Sequence, residues 1–148
     1  MTLKIREIYS PNFNIKPRKR KLIKFLVYHY TGMKKENDSI NRLIKIQSEV
    51  STHYFIKKNG EILRMVPDIY VAWHAGFSRW KKYKLLNKSS IGIEISNPGH
   101  QHGYVNFSKA QLKSVIKLTR KLIKKYNIKK NNILGHADIS PDRKKDPG

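Results

Sequence analysis

Apolar residues recur along this chain with the periods of strands and helices. The first clear run is Phe25-Leu26-Val27-Tyr28-His29-Tyr30, which is β-rich and stops at Thr31-Gly32. It reads as a strand followed by a turn. From Asp38, read as an N-cap, apolar residues fall at Ile40, Leu43, Ile44 and Val50, with polar Gln47 as a break. That spacing predicts a short amphipathic helix. His53–Lys58 and Ile62–Val66 flank Asn59-Gly60, predicting a hairpin whose two central turn residues both take positive φ. Ile91-Gly92-Ile93-Glu94-Ile95, closed by Asn97-Pro98-Gly99, predicts another strand. Ser108 and Gln111 have the spacing of a capping box. Behind them Leu112, Val115, Ile116, Thr119, Leu122, Ile123 and Tyr126 repeat at helical spacing, with lysines opposite. Asn132-Ile133-Leu134-Gly135 reads as a last short strand that delivers His136.

Strands alternating with helices, one hairpin among them, predict an α/β fold: a single mixed central β-sheet flanked by helices. Residues 1–24, polar, basic and punctuated by proline, read as an extended N-terminal arm, and 25–148 as the domain proper. At 148 residues the chain is one domain by length and can bury a core without staples.

Composition narrows the chemistry. With no cysteine, disulfides, thiolate zinc sites and cysteine nucleophiles are excluded, so any zinc site must use His, Asp or Glu. The net charge of +22, from 32 Lys+Arg against 10 Asp+Glu, suits a polyanion, and equally follows from a composition rich in Lys, Ile and Asn. No apolar run is long enough to span a bilayer, and the N-terminus lacks an apolar h-region with a small-residue cleavage site. No feature marks an oligomer interface, so a monomer is the default.

The closing stretch, Gly135 to Gly148, holds His136, Lys144 and Asp146 among Pro, Gly and charge, and reads as a loop rather than a helix or buried strand. His29 and His136 each sit at the C-terminal end of a predicted strand, where sites collect in α/β sheets. Asp146, ten residues beyond His136, can fold back to the same point. Two histidines and an aspartate would leave a zinc ion a fourth position for water, whose pKa zinc lowers to about 7. Glu94, the one acid in an isoleucine strand, is the natural base, although strict alternation would equally let it face solvent. Lys144 could stabilise an oxyanion, but spacing does not choose it over Lys145 or Arg143. Trp73-His74-Ala75-Gly76 and Trp80 cluster aromatics without periodicity and read as a binding loop, with Tyr83 a stacking or lid residue. His100-Gln101-His102, after Pro98-Gly99, reads as an exposed turn rather than a metal pair. His-Glu-x-x-His, a Walker loop, a dinucleotide fingerprint and a Gly-x-Ser-x-Gly elbow are absent.

Together these pieces resemble the zinc-dependent N-acetylmuramoyl-L-alanine amidases of type 2, whose fold is shared with peptidoglycan recognition proteins. The matching segments are Val27-Tyr28-His29-Tyr30-Thr31, Val50-Ser51-Thr52-His53-Tyr54-Phe55-Ile56, Trp73-His74-Ala75-Gly76, Ser90-Ile91-Gly92-Ile93-Glu94, and Gly135-His136 through Asp146-Pro147-Gly148, in family order. The resemblance implies zinc ligands at His29, His136 and Asp146, Glu94 as general base or acid, and Lys144 polarising the scissile carbonyl. Trp73, His74, Ala75, Trp80 and Asn97 are read as substrate-binding. The implied reaction is hydrolysis of the amide joining the lactyl group of muramic acid to L-alanine in peptidoglycan or its muropeptide fragments, anhydro forms included.

Phage-type members carry a tyrosine at the position of Thr52 and lack the acid at Glu94, so this chain resembles the bacterial branch. Tyr9-Ser10-Pro11-Asn12-Phe13-Asn14 and the loop from Trp73 to Trp80 favour an envelope or periplasmic enzyme. The lack of a visible leader favours a cytoplasmic one. Family members usually continue past Asp-Pro-Gly, so the chain is expected to be trimmed at Gly148 or to lack that support. The rival readings are a non-catalytic peptidoglycan receptor and a basic nucleic-acid-binding protein. Three intact ligands disfavour the first. The absence of an aromatic stacking platform disfavours the second, and no nucleic-acid partner is expected.

Overall fold

The computed structural model describes residues 2–148. In chain order the strands and helices are β1 (Ile5–Glu7), β2 (Phe13–Asn14), β3 (Phe25–Tyr30), α1 (Glu36–Ile44), β4 (Tyr54–Ile56), β5 (Ile62–Arg64) and β6 (Val71–Ala72). There follow β7 (Arg79–Trp80), β8 (Tyr83–Lys84), β9 (Ser90–Ile95), α2 (Lys109–Tyr126), β10 (Ile133–Gly135) and α3 (His136–Ile139). Six strands form one sheet in the order β1-β5-β4-β9-β3-β10. Only β4 and β5 run antiparallel, and every other pair is parallel. The expected mixed sheet flanked by helices is therefore present.

Both faces of the sheet are covered, which is why its central strands carry few polar residues. On one face Leu26, Tyr54, Ile56, Ile62, Ile91, Ile93 and Ile95 pack against Leu118 and Leu122 of α2. On the other face, Phe25 and Val27 of β3 meet Ala75, Leu86, Leu134 and Ile139, while Phe55 and Leu63 meet Leu43 of α1. The parity of β3 and β9 then places His29 and Glu94 on this second face, paired across the two strands.

Several local expectations shift. The capping box of α2 is present, with Ser108 Oγ accepting from Gln111 N and Gln111 Oε1 accepting from Ser108 N. Gln111 also turns inward, its Nε2 donating to Ser96 O at 2.7 Å. The buried stripe therefore runs through Gln111, Leu118 and Leu122, and the expected core residues Leu112 and Ile116 are about half exposed. The first helix begins before Asp38, which lies in its first turn, where a carboxylate meets the positive end of the helix dipole. It stops at Ile44 instead of reaching Val50, because Asn12 Nδ2 donates to Lys45 O and Val50 O at 3.0 and 2.9 Å. In the hairpin only Gly60 has positive φ. The turn is Lys57 to Gly60, closed by Gly60 N donating to Lys57 O, so Asn59-Gly60 is not its central pair. The closing stretch, expected as loop throughout, contains the short helix α3.

Residues 2–24 are bound into the body. β1 pairs with β5, and Ile8 N and Ser10 N donate to Arg64 O and Met65 O. The buried Arg18 guanidinium donates to the carbonyls of Asp68, Asn87 and Ser90 at 2.7–3.1 Å. Buried Ser10, Asn12 and Arg18 donate to carbonyls of the body, while the lysines of the segment stay exposed. No helix among the described residues is long and apolar enough to cross a membrane.

The rotated stripe of α2 is measurable by urea unfolding. Leu118→Ala should cost about 2–5 kcal/mol through the cavity it leaves. Leu112→Ala should stay within about 0.5 kcal/mol. Equal losses would restore the stripe read from the sequence.

Candidate metal centre

Two parallel neighbours, β3 and β10, run to the same edge of the sheet, with Gly135 opposite Tyr28. His29 and His136, the next residues along each strand, are thereby level. Both are buried. Asp146 reaches them because the closing segment folds back along α3: Ala137 N donates to Asp146 O at 2.9 Å, and Lys144 N donates to Ser140 O. His29 Nδ1 lies 3.0 Å from His136 Nδ1 and 3.0 Å from Asp146 Oδ2, and His136 Nδ1 lies 3.1 Å from Asp146 Oδ2. These three residues form a buried group able to hold a metal ion.

Protonation explains why a cation belongs there. His136 Nε2 is 3.0 Å from Ala75 O. A carbonyl only accepts, so Nε2 carries a proton and Nδ1 is the nitrogen turned to the centre. Asp146 is drawn well below the usual carboxylate range: burial works to raise it, but its close polar contacts with His136 and His29 outweigh burial. Burial lowers His29 to about 4, so at neutral pH its ring is uncharged. Neutral imidazoles and an ionised carboxylate are the states that metal ligation requires. Acceptors converging at 3.0–3.1 Å repel unless a positive charge sits among them.

A cleft of about 470 Å³ opens over this group. Glu94, beside His29 in the sheet, is half-buried on its wall, and its Oε2 is enclosed with no hydrogen-bond partner. Burial first, and then the charge of Asp146, pushes its carboxyl well above 4.5, with Lys144 and Arg42 opposing. Arg143, Lys144 and Lys145 all border the cleft. Arg143 is engaged by Phe77 O and Ala75 O, whereas the ammonium of Lys144 acts on both His29 and Glu94.

The residues read as substrate-binding divide. Trp73 and His74 border the cleft. Trp73 is tethered through Nε1 to Asn14 Oδ1, and His74 Nδ1 lies 3.0 Å from His29 Nε2. Ala75 is fully buried, and its contribution is the carbonyl that holds His136. Trp80 packs with the cluster of Phe25 and Val27, away from the cleft. Tyr83 packs there too, its ring edge-on to Phe25. Asn97 is buried under the following turn, donating to Val105 O and accepting from Gly99 N. His100 is exposed, as read, yet rims the cleft and stacks on Tyr104 at 4.8 Å. Arg42 of α1 also borders the cleft. One arginine among 32 basic residues carries no distinguishing signal in the sequence.

Comparison with known proteins agrees with this geometry. The N-acetylmuramoyl-L-alanine amidase family matches residues 18–148. The amidase AmiD of Escherichia coli is 40% identical, over 85% of this chain and 49% of its own length. The 1,6-anhydro-N-acetylmuramyl-L-alanine amidase AmpD of Haemophilus influenzae is 36% identical, over 97% of this chain and 85% of its own. This chain thus spans about half the length of AmiD. Among solved structures, AmiD from E. coli in complex with anhydro-N-acetylmuramic acid-L-Ala-D-gamma-Glu-L-Lys superposes with a TM-score of 0.78 at 38% identity, covering 91% of this chain and 55% of that one. AmpDH3 from Pseudomonas aeruginosa in complex with anhydromuramic pentapeptide gives 0.78 at 30% identity, covering 91% and 58%. With the sheet, the buried His-His-Asp group and these matches in agreement, the chain belongs to the type 2 N-acetylmuramoyl-L-alanine amidase family.

Proposed function

We propose that this chain is a zinc-dependent hydrolase that cleaves the amide between the lactyl group of N-acetylmuramic acid and L-alanine in peptidoglycan fragments, anhydro-muropeptides included. The observation that carries the reading is the convergence of His29, His136 and Asp146, from three separate segments, at the floor of one cleft. Two nitrogens and one carboxylate oxygen at 3.0–3.1 Å suit a four-coordinate zinc ion with bonds of about 2.0–2.2 Å that keeps one position open. When bound, zinc supplies Lewis acidity toward water and the scissile carbonyl.

The remaining work falls to the side chains. Glu94, with a free and enclosed Oε2, takes a proton from the attacking water as the new C–O bond forms to the lactyl carbonyl carbon. It returns that proton to the alanine nitrogen as the C–N bond breaks. A carboxyl raised by burial is suited to both transfers near neutral pH. The ammonium of Lys144 faces the negative charge growing on the carbonyl oxygen. Trp73 at the cleft border offers an apolar wall to the sugar or peptide. The envelope is the compartment this reading favours, supported by the net charge of +22 toward an anionic wall.

Mass spectrometry of anhydro- and reduced muropeptides incubated with the protein should show release of the intact stem peptide, abolished by EDTA and restored by zinc. A zinc-loaded protein that binds muropeptides and leaves them uncut would make the chain a receptor. Glu94→Ala should keep zinc and lose about 10²–10⁴-fold in turnover, and full activity would remove Glu94 from the mechanism. Glu94→Gln tests its ionisation separately, in zinc-free protein. The folded-state pKa lies above the ordinary 4.5, so as pH rises past that value the unfolded chain loses its proton first, and folding stability declines. The variant should therefore melt above the wild type at pH 8, with the gap closing toward pH 4. An equal gap at both pH values would place the ionisation elsewhere.

A further inference from the structure

We infer that His74 is a positioning residue that fixes which nitrogen of His29 is bare, through a chain of hydrogen bonds anchored at Ser90. The inference rests on the zinc reading above. The direction of the chain follows from its fixed end. Ser90 Oγ lies 2.6 Å from Leu86 O. A carbonyl cannot donate, so the single hydroxyl proton of the buried Ser90 is committed to it. At 3.1 Å from His74 Nε2, Ser90 Oγ can then only accept, and His74 Nε2 carries its proton. A neutral imidazole with its proton on Nε2 leaves Nδ1 bare. That Nδ1, 3.0 Å from His29 Nε2, accepts from His29, whose Nδ1 is left without a proton at the metal centre. No group in this chain changes its charge, only the order of donors and acceptors is set.

The strand beside it is shaped for the ring. A Cβ on Gly92 would lie 2.4 Å from His74 Cγ and 2.7 Å from its Nδ1, so the imidazole occupies the space that a side chain there would fill. The two ligand histidines are thus held by adjacent residues of one loop, His29 by the His74 ring and His136 by the Ala75 carbonyl. They differ in kind. A carbonyl has one hydrogen-bonding state, whereas an imidazole has two tautomers, and Ser90 selects between them. Removing the Ser90 hydroxyl, which reaches neither the metal group nor its ligands, permits His74 to carry its proton on Nδ1. That proton faces His29 Nε2 and turns the donor side of His29 toward the metal.

The test is zinc affinity by chelator competition on the folded full chain, with unfolding of the zinc-free proteins followed in parallel. His74→Phe keeps ring volume without an acceptor and should weaken zinc about 10–100-fold. His74→Asn places Oδ1 at the acceptor position and should recover most of that loss. Ser90→Ala should weaken zinc in the same direction. In ¹⁵N-resolved histidine spectra of the zinc-loaded wild type, His74 and His29 should both be protonated on Nε2. His74→Phe with wild-type zinc affinity, or a His74 protonated on Nδ1, overturns the inference while leaving the zinc site standing. A wild type that binds no zinc overturns the reading beneath it as well. Loss of affinity in His74→Phe that Asn does not recover assigns His74 to packing alone, and also overturns it.

Discussion

Each imidazole has two nitrogens, and a neutral ring can spend only one on donating. At this centre, the protein must claim Nε2 of both His29 and His136 so that both Nδ1 atoms arrive bare beside Asp146 Oδ2, 3.0–3.1 Å away. The neighbours of the rings accomplish this, not the rings themselves. His74 and Ala75 are consecutive, so the loop between β6 and β7 contacts both histidines at once. The position of that loop is in turn held by Asn87, whose Oδ1 accepts from His74 N and Ala75 N at 3.1 and 2.7 Å. Arg18 grips the carbonyls of Asn87 and Ser90 from the opposite end of the chain. A polar N-terminal segment thereby bears on the loop that contacts both histidines.

The same requirement makes the sheet two-sided. Three acceptors and an unpartnered carboxyl oxygen are costly to bury, and burial is what keeps His29 neutral and Glu94 high. The sheet supplies a hydrophobic counterweight on its other face, where Ile91, Ile93 and Ile95 lie under Leu118 and Leu122.

Much of this was legible in the sequence. The strand Phe25–Tyr30, the strand ending in Glu94 and the capping box at Ser108 all carry local signals that tertiary structure left intact. The grouping of His29, His136 and Asp146 was legible as types and positions, since both histidines lie at or just past the ends of strands and Asp146 follows within reach. What local pattern could not carry was direction. Gln111 turned inward for Ser96 O and rotated the buried stripe away from Leu112 and Ile116. Ala75 and Asn97 were read as substrate-binding, yet one offers a carbonyl to His136 and the other ties a turn together. His74 was assigned to substrate, because a bond from one histidine to another across 45 residues has no sequence signature.

Strand β9 shows how closely such constraints can be written together. Its residues alternate between two tasks: Ile91, Ile93 and Ile95 fill the core under α2, while Ser90, Gly92 and Glu94 serve the site. On the site face the side chains follow an ordered series. Ser90 presents its hydroxyl to His74 Nε2, Gly92 leaves the space that the His74 ring fills, and Glu94 presents a carboxyl to the cleft. A slip of one residue would turn isoleucines to the metal group and a carboxylate to α2. The hydrophobic face therefore enforces the register of the face that carries Glu94, and the glycine between serine and glutamate is the space a histidine ring occupies.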